Sequence, residues 1–211
     1  MKSLSILLLV SILMPGCSPT KLIQHYKNPD AVNLKIKKVF IIGVSADKDL
    51  RRTYETRMTE ELGKRGVIAI RSIDYFEASF TDNEQKIEQL NSIENKLFNA
   101  GFDATLIAKI SKKESKISME DAYRNFAKKH QTFEDYYYNN QHIYLTKQLE
   151  RHQVYTTETS LYCICPEKER ELLWRSEIEV VDATKVMRNI NSYINVLFKN
   201  LKENKLLHSA E

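Results

Sequence analysis

Val39-Phe40-Ile41-Ile42-Gly43-Val44 is an unbroken apolar run between Lys37-Lys38 and Ser45, and it constrains the fold more than any other stretch. A short run with no polar alternation suits a strand covered on both faces, which requires helices above and below a sheet. Ser45 or Asp47 can cap the element that follows, where Leu50, Tyr54, Met58 and Leu62 recur every four residues and predict a helix with one apolar stripe. Gly63 and Gly66 offer its stop, and Val67 to Ile70 reads as a second strand. Tyr75 to Phe80 reads as irregular chain or a brief strand. Thr81 or Asp82 then precedes Ile87, Leu90, Ile93, Leu97 and Phe98, an amphipathic helix ending near Gly101, and Asp103 to Ile110 is a third strand. Two successive strand-helix-strand units imply right-handed crossovers and parallel pairing.

The pattern changes after Ile110. Residues 111 to 147 are polar and charged with scattered aromatics and no sustained period, which reads as a long excursion between strands with a helical turn near Asp121 to Lys129. Gln148 to Ile164 returns to strand character. Pro166 to Glu169 turns the chain into Leu172 to Val180, where Leu172, Trp174, Ser176, Ile178 and Val180 fall on one face, so the two strands form an antiparallel hairpin. Asp182 caps a last helix whose Val186, Ile190, Tyr193, Ile194, Leu197, Phe198 and Leu201 face inward. The expected fold class is α/β: a single αβ-sandwich domain over residues 36–206. Its mixed sheet has about five strands, ordered β-α-β-α-β, antiparallel hairpin, carboxy-terminal helix.

The amino terminus supplies an address. Lys2 precedes a mostly apolar run from Leu4 to Met14, broken by Pro15 and Gly16 before Cys17. The run is shorter than the roughly 20 apolar residues of a membrane span and has the order of a secretory signal peptide. Met14-Pro15-Gly16-Cys17 looks like a bacterial lipobox, which implies removal of residues 1–16 and lipidation of Cys17. Residues 17–35, with Pro19 and Pro29, then read as the lipidated cysteine and a tether. Ser18 stands where an inner-membrane retention signal would place an aspartate. The expected location is therefore the outer membrane, held by lipid and facing the periplasm.

The chain carries 32 Lys and Arg against 28 Asp and Glu, a net +4. So small an excess is not a nucleic-acid signature, and no nucleic-acid partner is expected. Cys163 and Cys165 sit two apart, on one face if the strand runs through both, with side chains parallel at about 6.5 Å. A bond between them would strain an extended backbone, so two buried free thiols are expected, with a CxC redox pair or a soft-metal site as the alternative.

Three groups of strings, Lys38 to Val44, Ala100-Gly101-Phe102-Asp103-Ala104-Thr105-Leu106-Ile107, and Glu158 to Tyr162 followed by Leu173-Trp174-Arg175-Ser176, carry a resemblance over nearly all of residues 20 to 205. In this order they resemble a family of small envelope lipoproteins common in Bacteroidetes-like organisms. The α/β pattern is also similar to the TolB amino-terminal domain, to lipoprotein activators of cell-wall synthases and to curli-secretion lipoproteins. The resemblance implies an αβ-sandwich that binds other envelope proteins, and it carries over no catalytic residue.

Candidate sites are few. Phe133, Tyr136, Tyr137, Tyr138 and Tyr144 give the excursion the most unusual local composition and form a candidate interaction surface, because tyrosine supplies contact area with a polar tip. Packing of some of these residues on the sheet, with the others decorating a strand, explains them more simply. His130, Glu134, Asp135 and His142 have the atom types of metal ligands without a compact ligand spacing, so no metal and no cofactor is expected. Ser45 follows a strand and precedes a helix, but Gly43-Val44-Ser45-Ala46-Asp47 lacks the glycine after the serine of a nucleophile elbow. Neither the dinucleotide fingerprint nor the P-loop is present. The expected function is a non-enzymatic lipoprotein that is anchored through Cys17 and docks another envelope protein by its sheet edge or its tyrosine-rich excursion. A small-ligand or metal-binding lipoprotein and an envelope hydrolase are the alternatives.

Overall fold

In the computed structural model, residues 20–31, 36–76, 78–111, 132–141, 144, 154–164, 171–181 and 186–207 are described. The apolar run forms β2 (Lys38–Val44), buried from Val39 onward. Its alternate residues feed two cores: Val39 and Ile41 point into one, and Phe40, Ile42 and Val44 into the other. Helix α1 (Lys48–Gly63) is capped by Asp47, whose side chain accepts from Asp49 N and Leu50 N, satisfying two orphan donors of the first turn. Gly66 reverses the chain at φ 75°, with Val67 N donating back to Leu62 O. Strand β3 (Ile68–Arg71) then runs parallel to β2. The expected irregular stretch is instead helical: α2 (Ser72–Tyr75) is followed by a 3-10 turn at Ala78–Thr81.

Helix α3 (Ile87–Asn99) begins later than expected. Lys86 takes the cap position, and its backbone N donates to the Gln89 side chain. Leu90, Ile93 and Leu97 turn inward as expected, while Ile87 and Phe98 lie at the two ends of the stripe and are exposed. After Gly101, at φ 73°, β4 (Ala104–Ser111) pairs parallel to the other side of β2.

The excursion carries one described helix, α4 (Phe133–Asn140), capped by Thr132. The expected turn at residues 121–129 lies outside the described residues. Strands β5 (Val154–Cys163) and β6 (Leu172–Val181) form the expected antiparallel hairpin, and β5 pairs antiparallel with β4. A register shift between Leu161 and Tyr162, with Leu161 opposite Trp174 and Tyr162 opposite Leu172, puts one extra residue, Leu173, into β6. Leu172 therefore joins the opposite core from Trp174 and Ile178, correcting the single face read from alternation. Helix α5 (Val186–Glu203) closes the fold; Asp182, its expected cap, lies outside the described residues.

Two further corrections concern the sheet. Thr20–Lys27, expected as tether, forms β1 and pairs antiparallel with β6, from Thr20 opposite Val180 to Lys27 opposite Trp174. The sheet thus has six described strands rather than about five, in the order β1-β6-β5-β4-β2-β3. The alternation of Leu22, Gln24 and Tyr26 with polar neighbours is the half-buried pattern of an edge strand, interrupted by a bulge at Ile23. Helices α1 and α5 cover one face of the sheet, and α3 and α4 the other. The result is one α/β domain with a mixed sheet.

Candidate functional site

The carboxyl ends of the parallel strands β2 and β4 are where an open α/β sheet usually leaves a crevice, because the crossover helices start there and diverge. At this end, a cleft of about 270 Å³ opens between the first turns of α1 and α5. Its floor is made by Gly43 and Val44 of β2, Ala108 of β4, Thr157 of β5 and Val180 of β6. Leu50, Ile190 and Val186 make the apolar walls, and the hydroxyl-bearing Tyr54, Tyr155 and Tyr193 add contact area with polar tips.

The tyrosines are held rather than loose. The Tyr54 and Tyr193 rings lie 6.0 Å apart, and the Tyr193 hydroxyl is bonded to Thr159 Oγ1. Burial pushes Tyr193 up to about 12 and drives Tyr54 well above its ordinary value, the latter helped by Tyr193 beside it. Both hydroxyls are therefore neutral at physiological pH and turned into the core rather than into the cleft. Ser45 at the rim accepts a hydrogen bond from Asp47 N at 3.2 Å, a local turn ahead of the helix cap. Among the described residues the one histidine, His25, sits on β1 opposite Ser176.

Beside the cleft, Glu55 fastens α1 to the sheet. Its Oε1 accepts from Gly43 N at 2.9 Å, Arg51 Nε at 3.0 Å and Ser72 Oγ at 2.6 Å, and its Oε2 accepts from Ile73 N at 3.0 Å. Arg51 also donates to Ser72 Oγ at 2.8 Å and lies over the Tyr144 ring at 5.3 Å. Gly43 packs closely against this network: a Cβ there would meet Tyr54 Cδ1 at 3.0 Å and Arg51 Cγ at 3.4 Å, so the Tyr54 side chain would have to give by a few tenths of an ångström. Sequence periodicity marks the α1 stripe but misses Arg51 and Glu55, which are as buried as their apolar neighbours. Their spacing of four residues is the only signal that could have paired them.

On the opposite face Glu158 does the equivalent work for α4. It accepts from Tyr136 Oη and Arg175 Nη2, and Lys109 Nζ lies 3.5 Å away. Lys109 also donates to Asn140 Oδ1 at 2.8 Å. Burial alone would raise the Glu158 carboxyl; Arg175 and then Lys109 outweigh it and hold the group below its ordinary value.

The tyrosine-rich excursion is therefore core rather than surface over most of its described length. Phe133, Tyr136 and Tyr137 are fully buried, Tyr144 is half-buried with its hydroxyl donating to Gly43 O at 3.3 Å, and only Tyr138 is exposed, at 45%. The helical period accounts for this: Phe133, Tyr136, Tyr137 and Asn140 share the face that meets the sheet. The candidate ligand atoms of His130 and His142 lie outside the described residues, Asp135 sits in the first turn of α4, and no metal-ligating cluster occurs among the described residues. Cys163 is disulfide-bonded, which corrects the free thiol expected for it. β5 ends at Cys163, so the extended backbone expected through this segment is not continued by a described strand. Cys17 and Cys165 lie outside the described residues. No described helix is long and apolar enough to cross a membrane.

No family model matches the chain, and no curated protein matches it. Among solved structures, it is similar to a PelC dodecamer from Paraburkholderia phytofirmans, at 9% identity and TM-score 0.44, covering 84% of this chain and 94% of that one. It is also similar to a DUF4136 family protein from Bacteroides thetaiotaomicron, at 7% identity and TM-score 0.41, covering 87% and 96%. Lipoprotein GNA1162 from Neisseria meningitidis follows at 10% identity and TM-score 0.40, covering 79% and 99%. Likeness this distant carries no inference about activity or partners.

Proposed function

We propose that this α/β domain is a non-enzymatic lipoprotein of the outer membrane, held on the periplasmic side through Cys17, that binds another envelope protein in the cleft between α1 and α5. The cleft is the observation that carries the reading. Its volume of about 270 Å³ falls just below the roughly 300–1,000 Å³ of small-molecule pockets. It is the right size for one or two anchor side chains of a partner, and hot-spot residues bury in pockets of this kind. The strongest buried polar chemistry is already spent: Glu55 and Glu158 each bind their own arginine and hold a helix in place. The docking surface thus moves from the tyrosine excursion to the cleft. A small apolar ligand is the second reading, favoured by the apolar walls that Leu50, Ile190 and Val186 give the cleft.

Two measurements test the proposal. Cells fed a clickable palmitate should label the wild-type chain and not Cys17→Ser, which should leave the membrane fraction. Pull-down from gently solubilised envelopes should recover a specific protein with the wild type and lose it with Thr157→Phe, which fills the cleft floor. Recovery that is indifferent to the filled cleft would sink the cleft as the docking site.

A further inference from the structure

The start of β1 and the cleft lie at the same end of the molecule. Thr20, the first residue of β1, is opposite Val180, and Val180 forms part of the cleft floor. Two residues, Ser18 and Pro19, separate Cys17 from Thr20, so the two Cα atoms are at most about 11 Å apart even in fully extended chain. The carboxyl ends of β2 and β4 and the first turns of α1 and α5 are at this end too. Here α5 begins with Val186 and Met187, each 46% exposed, and exposed Arg188 follows. At this helix start two adjacent large apolar side chains stand out in the water, within a short chain's reach of a lipid.

Resting on the Cys17 reading, we propose that this end of the domain lies on the membrane surface, with Val186 and Met187 entering the boundary between headgroups and acyl chains. The occupant is a lipid surface because Thr20, three positions after Cys17, stands opposite Val180 in the same cleft that Val186 lines, so a lipid on Cys17 is held within reach of the patch. Charge does not provide the attraction. Among the described residues Lys48 is paired with Asp82 at 2.9 Å and Lys21 lies 3.8 Å from Glu179. The contact is apolar, of the kind in which amphipathic helices bury an apolar edge some 5–10 Å into the interface. A docking partner would then have to reach the cleft along the membrane surface.

The test places tryptophan at the two ends of the domain. Residues 18–211 with a hexahistidine in place of Cys17 are bound to phosphatidylcholine vesicles containing a nickel-chelating lipid, with plain or brominated acyl chains. Met187→Trp should lose emission on the brominated vesicles. Phe98→Trp, at the carboxyl end of α3 and the opposite end of the sheet, should not; Trp174 is buried and common to both. Absence of quenching at Met187→Trp, which a patch reserved for a protein partner would give on these protein-free vesicles, overturns the proposal. Equal quenching at both positions overturns it as well. Because the tag supplies the attachment, this outcome is independent of palmitate labelling in cells, which alone decides the lipidation of Cys17.

Discussion

Glu158 shows how much a single residue contributes here. Its carboxylate is buried against Arg175 and Lys109, and removing it leaves two cations without their anion. Glu158→Gln should therefore destabilise the domain by about 3–5 kcal/mol, the cost of breaking a buried pair. The pH dependence follows from the lowered value. The unfolded chain takes up the proton first, near the ordinary carboxylate value of about 4.3. The stabilisation from Glu158 is complete above that pH and is lost as pH falls through the lower folded value. Urea unfolding followed from neutral pH into the acid range should show a limb that flattens in Glu158→Gln; an unchanged limb would remove the pair from the account. Tyr136 and Tyr138 separate core from surface within the same helix turn. Tyr136→Phe deletes a hydrogen bond to a buried carboxylate and should cost about 1.5–3 kcal/mol. Tyr138→Ala, on the exposed side, should stay within about 0.5 kcal/mol. Equal costs by thermal unfolding would contradict the assigned orientation of α4.

At the scale of elements, the central β-α-β-α-β order and the hairpin were legible because each rests on a strong local period. The β2 run, the α1 and α3 stripes and the alternation of β6 follow from side-chain geometry alone. What escaped depends on partners distant in sequence. Thr20–Lys27 has too little apolar content to announce a strand, and it becomes one because β6 offers an unpaired edge more than a hundred residues away. The bulge at Leu173 is a mismatch between two strands and leaves no mark in either alone. The same holds for the tyrosines of α4, whose burial depends on where the excursion docks. Strand β1 also closes the long edge of β6. A chain beginning at Asn28 should expose that edge and lose the Gln24–Glu177 hydrogen bond with it. It should self-associate in sedimentation velocity where the longer chain stays monodisperse. Monodisperse behaviour of the shortened chain would make β1 a decoration rather than part of the sheet.

For the whole molecule, the sheet divides the labour between its faces. One face uses Glu158, Arg175 and Lys109 to hold the excursion helix down, and the other leaves between α1 and α5 a cleft with apolar walls. The cleft was not legible in the sequence, since Gly43, Ala108, Thr157, Val180 and Tyr193 come from five separate elements and each reads as ordinary core. β1 begins at the cleft, with Thr20 opposite Val180, so the lipid attachment proposed at Cys17 would give the domain an orientation as well as an address. The central claim is that this cleft receives a protein partner. It is tested most directly by a photo-cross-linking residue at Leu50 in living cells. The account predicts a discrete protein adduct at Leu50 that disappears with Thr157→Phe, and none from the same probe at Tyr138. An adduct at Tyr138 with none at Leu50 would return the docking surface to the excursion and contradict the account.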